Sequence, residues 1–174
     1  MNHTQSEFHI LLIEDSRADA KIIARALRDR HVEHRLTVIA DGRLALDYLM
    51  TLRDENKETD LEPDLILLDL NLPGINGCQV LRRIKEDPYL RSIPVVVLTT
   101  SIREEDIVQT YRAGANTYIS KPSEYPKYCE LVSTLKIYWG DTALRVPKPS
   151  RRNPQLPASG EHVIEEARFA SPEV

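Results

Sequence analysis

At 174 residues the chain is about one ordinary domain long, enough to bury a sizeable core but too short for two conventional domains. A hydrophobic share of 41% and a charged share of 29% are those of a globular protein, and no apolar run approaches the roughly 18 residues of a membrane span. The net charge of −4 argues against a nucleic-acid partner, which calls for clustered Lys and Arg; the one such cluster, Lys148 with Arg151 and Arg152, sits among prolines.

The first nine residues are polar and lack the basic-then-apolar design of a secretory signal, so a cytoplasmic location is expected. Beyond them, short runs of Ile, Val and Leu alternate with segments of helical period, the pattern of βαβ units around a parallel sheet. Strands are expected over 10–13, 35–39, 65–68, 95–98 and 117–120, each nearly continuously apolar as a doubly covered sheet demands. Helices follow over 18–29, 43–53, 77–86, 104–113 and 125–139; the last puts Tyr128, Leu131, Val132, Leu135 and Tyr138 on one face. Residues 54–63 are charged and aperiodic and read as a surface loop remote from the strand C-termini. The folded unit is expected over 8–146, and the proline-rich remainder, 147–174, reads as a disordered tail. Cys78 and Cys129 read as two reduced thiols, and His31 and His34 as surface residues.

In an open parallel sheet ligands bind outside the carboxyl ends of the strands, so the residues just after each apolar run carry the information. They are Glu14 and Asp15 after the first, Asp69 and Asn71 after the third, Thr99 and Thr100 after the fourth, and Lys121 before Pro122 after the fifth. Singly, each has an ordinary explanation. Asp15 or Ser16 would cap a helix, with Ser16 and Asp19 spaced as a capping box, and Asp69 would open a turn. Thr99 would reflect strand propensity, and Lys121 would be a solvated lysine. Together they form a set with a purpose. Clustered carboxylates repel unless a hard divalent cation relieves them, and Mg²⁺ takes one or two carboxylates, waters and phosphate oxygens. Asp15 and Asp69 are the direct-ligand candidates. An ionised Asp69 can attack phosphorus, with Lys121 and Thr99 serving the phosphoryl oxygens.

The segments Ile13-Glu14-Asp15-Ser16, Leu67 to Pro73, Val97 to Ser101 and Ser120-Lys121-Pro122 resemble those of response-regulator receiver domains over residues 8–138. The resemblance implies a flavodoxin-like, doubly wound (βα)5 fold whose five-stranded parallel sheet has the order 2-1-3-4-5. It implies Glu14 and Asp15 as the acidic pair, Asp69 as phosphoacceptor, Thr99 as switch hydroxyl, Lys121 as the family's lysine and Tyr118 as switch aromatic. The backbone carbonyl of Asn71 would add a metal ligand. Such a chain takes its phosphoryl group from a sensor histidine kinase and is no enzyme beyond self-phosphotransfer and autodephosphorylation. Phosphate on Asp69 would draw in Thr99, letting Tyr118 rotate inward and repack the helix-four face.

More narrowly, the charged loop before strand three, the Leu98-to-Ser101 run and the Tyr138-Trp139 pair resemble small response regulators paired with bacterial phytochromes. In that group the receiver stands alone and homodimers form through helices four and five. Ile137, Trp139, Leu144 and Val146 are apolar beyond what a core stripe buries; Ile107, Tyr111, Tyr118 and Tyr138 would extend the same interface. Ser123 after the Lys-Pro pair and the long tail depart from the family pattern and leave the site intact. A Mg²⁺-dependent aspartyl-phosphate phosphohydrolase would share nucleophile, metal and lysine, but needs a second acid two positions after the nucleophile, where Asn71 stands. A nucleotide-binding domain would need a glycine-rich turn where Glu14-Asp15-Ser16-Arg17 is acidic. A phosphate relay or sink is the other output the residues allow; a receiver used only for protein binding is disfavoured, because no phosphorylation residue is missing.

Overall fold

The computed structural model describes residues 7–52 and 62–143, in which five parallel strands form one sheet of order β2-β1-β3-β4-β5. The strands are β1 (Phe8–Ile13), β2 (His34–Ile39), β3 (Leu65–Leu68), β4 (Val95–Thr99) and β5 (Thr117–Ser120). Between and after them run α1 (Arg17–Asp29), α2 (Gly42–Thr51), α3 (Gly77–Glu86), α4 (Glu104–Arg112) and α5 (Tyr125–Leu135). The fold is the doubly wound one expected. Residues 53–61 of the charged loop, Leu144, Val146 and the whole of 147–174 lie outside the described residues. Among the described residues no helix is long and apolar enough to cross a membrane.

Alternation along the strands sorts the core into two layers. Leu11, Ile13, Ile66, Leu68, Val95 and Val97 pack against α2 and α3, while Ile10, Leu12, Leu65, Leu67, Val96 and Leu98 pack against α1 and α5. Because β1, β3 and β4 are covered on both faces, all their residues are buried, which is why they read as unbroken apolar runs. The edge strands β2 and β5 are partly exposed and correspondingly more polar.

The fifth helix departs from expectation. Its α-helical part ends at Leu135, and Lys136–Thr142 continue as a π-helical segment. The wider winding breaks the 3.6-residue stripe, so Tyr138, expected on the core face, is 55% exposed. Trp139 instead packs against the layer of Tyr128, Val132 and Leu135, with Tyr138 edge-on to it at 4.9 Å between centroids. Strand β1 also begins earlier than its apolar run, because Phe8 and His9 are buried too. His34 opens β2, half-buried, rather than lying in a surface loop.

At the opposite edge from the strand C-termini, Lys85 of α3 donates to the carbonyls of Ile93 (2.7 Å) and Arg91 (3.2 Å) and to Asn116 Oδ1 (3.2 Å). Asn116 Oδ1 also accepts from Val95 N, so one ammonium ties α3 to the segments that lead into β4 and β5. All three acceptors are uncharged, and burial pushes the Lys85 amine down to about 8. Titration of its Nζ followed by NMR is expected near that pH; a midpoint at the ordinary 10.5 would refute it. Between those two values the unfolded chain binds the extra proton, so stability against unfolding is expected to rise with pH across this window.

Candidate functional site

The backbone ladder continues one residue past several strand ends. Glu14 N donates to Ile39 O (3.0 Å), Asp69 N to Ile13 O (3.0 Å) and Lys121 N to Thr99 O (2.8 Å), which fixes all three at the C-terminal edge of the sheet. Alternation then decides their side. Glu14, Asp69 and Lys121 are in phase with Leu12, Leu67 and Ile119, on the α1/α5 layer; Thr99 is in phase with Val97, on the opposite layer, against which Tyr118 packs.

Lys121 is the centre of the cluster. Its Nζ lies 2.6 Å from Glu14 Oε2, 2.7 Å from Asp69 Oδ2 and 2.7 Å from Asp19 Oδ2, and its side chain is 4% exposed. Burial alone would favour the neutral amine, but the hydrogen bonds it donates to Asp19, Asp69 and Glu14 outweigh that and hold the ammonium above its ordinary range. Burial likewise raises the Glu14 carboxyl, an effect that the Lys121 hydrogen bond only partly offsets. A phosphoryl group arriving here would meet a fully charged lysine throughout the neutral range.

Asp69 is buried, and its second oxygen, Oδ1, accepts from Asn71 N at 3.1 Å. The turn-forming reading of Asp69 therefore holds, while its other oxygen faces Lys121. The turn is held from behind by Gly77, the first residue of α3, whose N–H donates to Leu70 O at 3.0 Å. A Cβ at position 77 would lie 2.1 Å from Asp69 O and 2.6 Å from Leu70 Cα, so only glycine permits α3 to sit this close.

Glu14, Asp15 and Asp69 each offer a carboxylate oxygen within 4.8 Å of the others, with Asp15 the exposed member. An all-oxygen donor set open on one side suits a hard divalent cation that retains waters and accepts phosphate oxygens. Thr99 is fully buried, and its hydroxyl oxygen accepts from Asn71 Nδ2 (3.3 Å) and Ser101 N (3.4 Å). Both contacts leave its own proton for another acceptor. Tyr118 is half-buried and donates from its hydroxyl to Ser101 O at 3.0 Å, while its N–H meets Tyr111 Oη at 3.2 Å. Of the other interface candidates, Tyr111 is 49% exposed, Ile107 and Trp139 are half-buried, and Leu144 is outside the described residues.

Sequence reasoning missed Asp19. Ser16 is the N-cap of α1 and accepts from Asp19 N, as its spacing suggested. The reciprocal bond of a capping box is absent from Asp19, however: Ser16 N donates to Glu14 Oε1 at 3.1 Å, and the Asp19 carboxylate turns to Lys121. The sequence carried no signal for it beyond that capping-box spacing.

The family model described as response regulator receiver domain matches residues 10–133. Response regulator Rcp1 of Synechocystis sp. is 38% identical over 133 residues, 76% of this chain and 89% of the relative. Among solved structures, the phosphorylated cyanobacterial phytochrome response regulator RcpA superposes with a TM-score of 0.72 at 40% identity, covering 80% of this chain and 99% of that one. The Mn²⁺-bound form of Rcp1 gives a TM-score of 0.69 at 35% identity, with the same coverage of 80% and 99%.

Proposed function

The chain belongs to the response regulator receiver domain family, and from that premise we propose that Asp69 is its phosphoacceptor, with Mg²⁺ held by Glu14, Asp15, Asp69 and the Asn71 carbonyl. The observation that carries the reading is the convergence of buried Asp69 with Lys121 at 2.7 Å beside two further carboxylates at the strand ends. An Asp69 oxygen forms the new bond to phosphorus as the bond from phosphorus to the donor's nitrogen breaks, the nitrogen keeping the electron pair and taking a proton. The cation supplies charge neutralisation at the phosphoryl oxygens and the carboxylates. Lys121 supplies the protein's own positive charge on the side facing α1, and Thr99 has a proton to donate from the opposite layer.

The donor is a sensor histidine kinase, and likeness to Rcp1 and to RcpA, the latter named a phytochrome response regulator, supports a bacterial phytochrome as that kinase. Phosphate on Asp69 recruits the Thr99 hydroxyl; Tyr118, tied to Ser101 O, then exchanges that bond for an inward position. The readout is dimerisation of two copies through α4, β5 and the end of α5, using Ile107, Tyr111, Tyr118, Tyr138, Trp139 and Leu144. The chain works in the cytoplasm, and it passes its signal by contact rather than by turnover.

The test is incubation with Mg²⁺ and acetyl phosphate, followed by intact mass at neutral pH and chromatographic size. A labile gain of one phosphoryl group is expected, absent from Asp69→Asn and without Mg²⁺. A wild-type chain that gains nothing would refute the reading, and a gain that Asp69→Asn retains would refute the assignment of Asp69.

A further inference from the structure

Lys121 has three N–H donors, and the structure gives each a carboxylate: Glu14, Asp69 and Asp19. Two of these partners, Glu14 and Asp69, belong to the trio that can hold a metal, and Asp69 is also the group to be modified. Asp19 belongs to neither set. It sits in the first turn of α1, 26% exposed at its side chain, outside the Glu14–Asp15–Asp69 group yet 2.7 Å from the ammonium. Its freedom to reach Lys121 has a visible cause: Glu14 Oε1 occupies the Ser16 N–H that a capping-box residue at position 19 would otherwise take.

We propose that Asp19 is a positioning residue for phosphoryl transfer, holding the Lys121 ammonium beside the acceptor by a contact that neither the metal nor the phosphoryl group competes for. The proposal rests on Asp69 being the phosphoacceptor. When a cation draws on Glu14 and Asp69, two of the three tethers on Lys121 are shared or weakened, and the Asp19 contact remains. Once Asp69 carries phosphate, the N–H it has released can serve a phosphoryl oxygen, provided that the ammonium stays where it was. A lysine with one fixed tether outside the reacting set meets that condition. A lysine held only by the groups that change does not.

Asp19→Ala and Asp19→Asn separate this role from a purely electrostatic one. Asparagine keeps an oxygen acceptor at the same reach and removes the charge; alanine removes both. The rate of mass gain from acetyl phosphate at saturating Mg²⁺ is expected to fall about tenfold in Asp19→Ala and to be largely restored in Asp19→Asn. Mg²⁺ affinity, measured calorimetrically on the same proteins, is expected to stay at the wild-type value in both. Wild-type rates in Asp19→Ala, an asparagine variant as slow as the alanine one, or a calorimetric loss of Mg²⁺ affinity in Asp19→Ala would each overturn the proposal. Wild-type protein that takes up no phosphate would instead remove the reading beneath it, and the proposal with it.

Discussion

Lys121→Ala is expected to lose about 3–5 kcal/mol of stability, because it strips the ammonium from two buried carboxylates at once. Glu14 and Asp69 have side chains only 1% and 4% exposed, so the lysine neutralises them where bulk water is largely excluded. The loss has an internal limit. Burial already raises the Glu14 carboxyl, and without its partner it rises further, so the folded variant recovers part of the cost by binding a proton. The sign follows: with Glu14's folded value above its unfolded 4.5, the folded state binds the extra proton, and the variant gains stability as pH falls from neutrality toward 4.5. Denaturant unfolding at several pH values would show this, together with a rescue by Mg²⁺ that exceeds the wild-type response. Phosphoryl uptake should drop by more than a hundredfold, roughly the effect of removing one electrostatic stabiliser from a preorganised site. A variant as stable as the wild type at pH 7 would refute the ion-pair account of Lys121.

Gly77→Ala acts on the same carboxylate through the backbone. The added methyl would sit 2.1 Å from Asp69 O, and neither the helix nor the turn has a flexible side chain to move aside. Either α3 retreats or the Asp69 turn shifts, at a cost of about 1–3 kcal/mol for overpacking. A shift on the order of 1 Å at the acceptor lowers phosphoryl uptake about a hundredfold. Gly42→Ala is the control: its Cβ would crowd Val80 Cγ2 at 2.8 Å and Ile75 O at 2.9 Å, neither of them an atom of Asp69 or its partners. It should cost comparable stability and leave uptake near normal. If both variants lose uptake alike, instability rather than displacement of Asp69 is responsible.

What the sequence disclosed depended on whether local pattern and tertiary environment agreed. The three central strands were legible because burial on both faces leaves only apolar residues, and the polar residues after them stood out against that background. Side could have been assigned as well, since alternation alone puts Glu14, Asp69 and Lys121 together and Thr99 apart. Asp19 was obscured by a valid local explanation, its capping-box spacing; only the structure shows Glu14 taking that bond. The end of α5 failed for a different reason. A stripe extrapolated at 3.6 residues per turn assumes that the winding persists, and the π-helical segment from Lys136 changes it. Gly77 gave no signal, because a close backbone approach between distant segments leaves no mark on either one's periodicity.

The sheet is a partition. Glu14, Asp69 and the ammonium lie over one layer, and Thr99 and Tyr118 over the other, so any signal from Asp69 to Tyr118 would have to cross from one to the other. Asn71 stands at the doorway: its N–H holds Asp69 Oδ1, and its side-chain amide reaches the hydroxyls of Thr99 and Thr100, each at 3.3 Å. One exposed residue thus touches both sides of the sheet edge. An acid at that position would carry a proton-transfer group into the doorway; an amide carries none.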